Sequence, residues 1–462
     1  MRRKFIDIPD HARRDFIKWT VGLGAALGLR PWKVFEVQES IVGPALAQQA
    51  SCSPVNRSVH IIAGNGGFAW FTQLWPHADQ ATKAGASFYA TGMGTQQAVD
   101  TEANDHPLTL GPAAPFQKAK KKMTAFMAGN NETHTNNPVS SANVATGVRL
   151  FAAVSALQTA SPTLVPAISI GNLPYGTATG APALAAVPNP AGMVGLFNSA
   201  ASSAGGMLAN ANDAALFEAY YKANLSLHAA ASRPTFTRGF LNGKVAANLL
   251  GKNLGPQLTP SAADLQRYGV SNATPAKLQS IANTLITTAK AFKLNLTSSV
   301  MLPALQDDPH GAFADMATLT STVQGLGAML DAFMGDLMAE PDPMCAGATL
   351  GDNLVLTVTG DTPKTPLNPS GWGDGTPGNS NWIYVLGNGW TKAGWFGQVK
   401  GDGTIETFNP STGANVAGGT TAALSGPAGA AVLYAVARGD ARRVSDFFRG
   451  ADFSGLINAK QM

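Results

Sequence analysis

The stretch from Asn295 to Gly389 constrains the fold of this chain most strongly. Two β-rich apolar runs, 298–305 (SSVMLPAL) and 353–359 (NLVLTVT), each end in a polar turn that carries acids. Between them Phe313, Met316, Leu319, Val323, Leu326, Leu330, Phe333 and Leu337 recur at intervals of three and four, which predicts a long amphipathic helix. A buried strand, a polar turn, a covering helix and a second buried strand make a βαβ unit, so the chain is expected to be α/β. In open α/β sheets ligands bind beyond the carboxyl ends of the strands. That address holds Asp307, Asp308, His310, Asp361 and Asp374 in this sequence.

The rest of the chain fits around that unit. Residues 59–63 (VHIIA) read as a first buried strand running into a glycine-rich turn, where Asn65, Gly66 and Gly67 are flexible enough to bring backbone amides to an anion. The piece 118–128 reads as helix or helix and strand, and it leads to a second polar turn with Thr133 and His134. Composition predicts helix over 142–160, a strand over 164–170 and a long, irregular excursion over 171–204. A helical middle region spans about 205–294, with Leu278, Ile281, Leu285 and Ala289 on one face. Residues 382–386 (WIYVL) read as a last core strand, 394–408 as a hairpin, and 428–438 and 441–448 as helices. The expectation is a single α/β domain over 48–462, closing in a small hairpin-plus-helix region at about 394–450.

Charge excludes some classes of function. Only 13% of the residues are charged, about half the usual share. The net charge is +4, but the first 47 residues hold eight Lys/Arg and five Asp/Glu, so the remainder has 24 basic and 23 acidic residues. A near-neutral surface offers no electrostatic case for nucleic acid or an anionic membrane. The short basic run 118–122 (KAKKK) reads as a solvated helix face.

The first 47 residues read as an export signal. A basic stretch, an uncharged run of eleven residues over 19–29 and an A-x-A site at Ala45 and Ala47 follow in order. Arg13 and Arg14, with Phe16, Ile17 and Lys18 behind them, match the twin-arginine pattern. The pattern predicts cleavage after Ala47, a periplasmic or extracellular location, and the twin-arginine translocation machinery as the partner during export. No remaining stretch is apolar for long enough to span a bilayer as a helix. Cys52 and Cys345 are the only cysteines, and an oxidising compartment favours their pairing.

With these pieces in view the chain resembles a known family. The ordered motifs are IIAGNGGFAWFTQLWP, an N-E-T-H turn ending at His134, Thr146-Gly147, VPAISIGNLP, DDPHGAF, and LVLTVTGDTPKTP before GWGDG and WIYVLG. Together, over about 59–397, they resemble the exported bacterial family of unknown function numbered 1501, which is similar to alkaline phosphatases and sulfatases. The resemblance implies an alkaline-phosphatase-like, mostly parallel sheet with helices on both faces and long Gly/Ala/Pro-rich loops. It also implies a centre for divalent metal. His134 matches a Ser-His histidine, with Thr133 in place of the serine; Asp308 and His310 match a D-x-H; Asp361 matches an acid in the next turn. Asp374 matches the acid of an Asp-His pair, but Gly375 follows it, Asn65 stands where an acid is expected, and Thr362-Pro363-Lys364 replaces F-G-R.

Two readings of different classes remain open at this point. In one the chain is an exported metal-dependent hydrolase of phosphate or sulfate esters, with Asp307, Asp308, His310, Asp361 and Asp374 around the metal and Thr133 or Thr72 as nucleophile. In the other it keeps the fold without catalysis, as an envelope binding or structural protein. Asp307 and Asp308 also suit the N-cap and first turn of the helix that follows. The sequence holds no G-x-S-x-G elbow, dinucleotide fingerprint, P-loop, CxxC or haem motif.

Overall fold

The computed structural model describes residues 52–75, 97–98, 109–110, 123–161, 163–197, 253–311, 314–365, 374–387 and 389–459, with a few helical positions between 219 and 226. The export signal, with Arg13, Arg14, Phe16, Lys18, Ala45 and Ala47, lies outside these residues, as do the basic run 118–122, most of 205–252 and Phe313. Residues 52–199 and 253–462 form one compact unit.

The main unit is an α/β fold built on an eight-stranded, mostly parallel sheet. Its strands are β1 (Arg57–Ala63), β2 (Met123–Asn130), β3 (Ala167–Ile170), β4 (Ala185–Val187), β5 (Ser299–Pro303), β6 (Leu354–Gly360), β7 (Ser380–Leu386) and β8 (Gly394–Phe396). They lie in the order β8-β2-β7-β6-β1-β5-β3-β4. The pairings of β1 with β5 and β6, of β3 with β4 and β5, and of β2 with β8 are parallel; β7 runs against both of its neighbours. The central strands are buried along their whole length, which explains their unbroken apolar composition.

Helices cover both faces, and alternation along the strands shows which residues face which. Ile62, Phe126, Ala128, Met301, Val355, Ile383 and Val385 pack with α2 (Leu150–Gln158) and α6 (Ser425–Val436) in one core. On the other face Tyr384 meets Phe68 and Trp75 at α1 (Phe68–Leu74), and the Arg57 guanidinium lies over Phe292 of α4 (Ala276–Lys293). The long helix α5 (Met316–Ala339) packs against α1 and α4, burying Leu319, Val323, Leu326, Leu330, Phe333 and Leu337. Among the described residues no helix is long and apolar enough to cross a membrane.

Several local expectations are corrected. The β5-α5-β6 unit exists, but β1 is inserted between its two strands, because a crossover of this length can skip one position in a sheet. Residues 123–130 are strand, completely buried as far as Gly129. The helix expected over 142–160 starts only at Leu150, since 143–149 form a small hairpin around Gly147 (φ 73°). The excursion 171–204 holds the edge strand β4 and the helix α3 (Pro190–Phe197), whose first residue is a proline suited to a helix start. Residues 394–408 divide: β8 joins the main sheet, and only 398–399 and 405–408 make the hairpin. The helix expected over 441–448 is the single turn Ala441–Val444.

Candidate metal centre

The carboxyl ends of β1, β2, β5 and β6 meet at one edge, and because β7 is antiparallel its amino end arrives there too. Each contributes a turn. His134 follows β2 at φ 51°, Asp308 and His310 follow β5, and Asp374 precedes β7. Their side chains converge: one ligand atom from each of His134, Asp308, His310 and Asp374 lies within 4.8 Å of the others. His134 Nε2 is 2.8 Å from Asp374 Oδ1 and 3.5 Å from Asp308 Oδ2; His310 Nε2 is 2.8 Å from Asp308 Oδ2 and 3.0 Å from Asp374 Oδ1. Two imidazoles and two carboxylates in one cluster are a donor set suited to zinc or manganese.

A fifth group, absent from the sequence-based candidates, enters this cluster. Lys364 follows β6 in the left-handed region (φ 61°), a conformation that costs a non-glycine residue about 1–3 kcal/mol. Its side chain is 0% exposed. The ammonium pairs with Asp374, lies 3.1 Å from Asp308 Oδ1 and is 3.2 Å from His310 Nε2. Burial pushes the Asp374 carboxyl up, but the hydrogen bonds from Lys364 and His134 outweigh it and hold the group at about 2. Lys364 sits in the proline-flanked segment TPKTP, whose composition marks only a turn. A single lysine there carries no signal that its ammonium is turned inward.

The other candidates are placed elsewhere or serve the cluster indirectly. Asp307 points away and pairs with Lys277, while its carbonyl accepts a hydrogen bond from Trp70 Nε1 at 3.1 Å. Neither Asp307 nor Asp308 caps the following helix; Asp315 does, accepting from the Thr318 N–H. Asp361 lies outside the four-residue cluster and accepts the Gly66 N–H at 2.7 Å through Oδ2. Burial raises its pKa, and its Oδ1 is buried without a hydrogen-bond partner.

The glycine turn therefore holds a carboxylate of this chain. The Gly66 N–H is committed to Asp361, the Gly67 N–H to the Gly64 carbonyl, and the Asn65 N–H to the Thr135 carbonyl. Gly66 (φ 82°) has Asp308 packed directly on it, so a Cβ there would come within 2.9 Å of the Asp308 Cα. Gly67 has no room for a Cβ beside the Leu305 carbonyl. These contacts, more than any anion, explain the glycines.

Of the two threonines, Thr72 is buried and donates to the Pro363 carbonyl, which removes it as a nucleophile. Thr133 is exposed at the rim, and its hydroxyl accepts from Asn131 Nδ2, which also reaches the Asp374 carbonyl. Asn381 completes the frame. Its Nδ2 lies 3.0 Å from each of the carbonyls of Asn130, Gly360 and Asp361, tying together the ends of β2 and β6. Comparison with known proteins adds no family to this geometry: no family model, no curated protein and no solved structure matches the chain.

Proposed function

We propose that this chain is a metal-dependent hydrolase of phosphate or sulfate esters, with His134, Asp308, His310 and Asp374 as the ligands of one divalent cation. The observation that carries the reading is the convergence of these four side chains, from three separate segments, at the ligand-binding edge of the sheet. The buried, unpartnered Asp361 Oδ1 beside them also suits an edge built around positive charge. A divalent cation there supplies Lewis-acid polarisation of an ester oxygen. Thr133, held by Asn131, is the candidate nucleophile, and Asp361 fixes the glycine turn against which Asp308 packs. We further propose export by the twin-arginine route; the Cys52–Cys345 disulfide supports it, since such bonds persist in oxidising compartments.

A second reading, a non-catalytic protein that keeps the fold, is favoured by one observation. The Lys364 ammonium already pairs with both Asp308 and Asp374 and offsets one of their two charges, which eases their repulsion without a metal. One set of measurements separates the two. Protein dialysed against zinc or manganese is expected to retain one ion per chain by elemental analysis and to melt at lower temperature after chelation. Asp308→Ala and His310→Ala should remove that sensitivity. Thr133→Ala should abolish turnover of aryl phosphates or sulfates while still binding metal. A melt indifferent to chelator, with no stoichiometric metal, leaves the non-catalytic reading.

A further inference from the structure

We propose that Lys364 is an internal competitor for the cation, occupying the ligand cluster in the metal-free protein and leaving it when metal binds. The proposal rests on the metal-centre reading above and specifies how that centre is regulated. An ammonium has three protons to donate. Lys364 hydrogen-bonds Asp374 Oδ1 and His310 Nε2 and forms an ion pair with Asp308 Oδ1 at 3.1 Å, so its charge is compensated inside the cluster.

Two of those three atoms, Asp374 Oδ1 and His310 Nε2, belong to the set a metal would use. A lone pair cannot serve an ammonium proton and a metal ion at once. A divalent cation therefore takes two of the three partners of Lys364 and repels the ammonium as well. Left inside, the lysine would be a buried charge with one partner, a state far less favourable than solvation. His134 Nε2 and Asp308 Oδ2, 3.5 Å apart, give an arriving ion a first foothold. The lysine-in population then lowers the apparent affinity for every cation, which favours ions that bind imidazole tightly over magnesium or calcium.

Isothermal titration of the full-length folded protein with zinc ions tests this, comparing wild type with Lys364→Met, which keeps the length and removes the charge. The expected result is at least tenfold tighter zinc binding by the variant. Amine acylation followed by mass spectrometry gives a second readout on the wild type alone. Lys364 should be protected without zinc and become reactive as zinc is added. Equal or weaker binding by Lys364→Met, or protection that zinc does not relieve, overturns the proposal while leaving the metal centre intact. If neither protein binds zinc saturably, the metal-centre reading falls and this inference falls with it. Should the variant fail to fold, the acylation experiment decides.

Discussion

His60 lies in the middle of β1, fully buried, with Nδ1 2.7 Å from the Thr357 hydroxyl and its ring against Phe151. Burial pushes its pKa down from 6.5 to about 3, so the folded protein holds it neutral. The unfolded chain takes up the proton first as pH falls. Stability from this residue is therefore complete above the unfolded pKa and is lost on acidification toward about pH 3. The loss amounts to about 1.4 kcal/mol for each pH unit in that window. His60→Leu should flatten the dependence by that amount in urea titrations run between pH 6.5 and pH 4. Parallel slopes for the two proteins would contradict the assignment. The same residue illustrates a limit of sequence reading. A histidine within VHIIA is visibly inside a strand rather than at its end, but nothing in the sequence shows that it is fully buried and held neutral.

At the level of elements, β1, β5, β6 and β7 could be read from the sequence because burial on both faces leaves an unbroken apolar signature. Their order could not. Insertion of β1 between β5 and β6 and the reversal of β7 are set by long-range pairings that leave no local trace. The ends of β2 and β6 are joined by a residue equally silent in sequence, Asn381 of β7, one asparagine ahead of an aromatic run. Asn381→Ala removes the donor shared by three carbonyls, two of them buried, and should cost about 1–3 kcal/mol. Because those carbonyls lead into the turns bearing His134 and Asp361, zinc affinity should fall with stability. Calorimetric titration and urea melts of the same preparation would show whether the two losses travel together.

At the scale of the molecule, strand-end reasoning pointed to the edge where four side chains converge, but not to which side chains meet there. Strand-end logic selected Asp307, Asp308, His310, Asp361 and Asp374, of which Asp307 and Asp361 stay outside the cluster, and resemblance drew attention to His134; the convergence itself, and Lys364 within it, depend on how four turns fold over one another. The Cys52–Cys345 bridge acts over the whole chain, joining residues 293 positions apart. In the chain-entropy treatment closing so long a loop is worth about 5–6 kcal/mol. Cys345→Ser should lower the unfolding free energy by up to that amount in urea melts, with no change in zinc stoichiometry. A melt unaltered by the substitution would mean that the unfolded chain gains nothing from being cut open.

The position of β1 bears on when this protein can assemble. Ser58 of β1 bonds to Ser299 of β5 across 241 residues, and β6 comes later still, so β1 waits for partners made long after it. Pairings this distant carry a high loop-closure cost and slow the search for the native state. A ribosome adding about 5–20 residues per second leaves the first strand without either neighbour for many seconds. A strand left unpaired for so long is open to wrong partners until the chain has grown past β5 and β6.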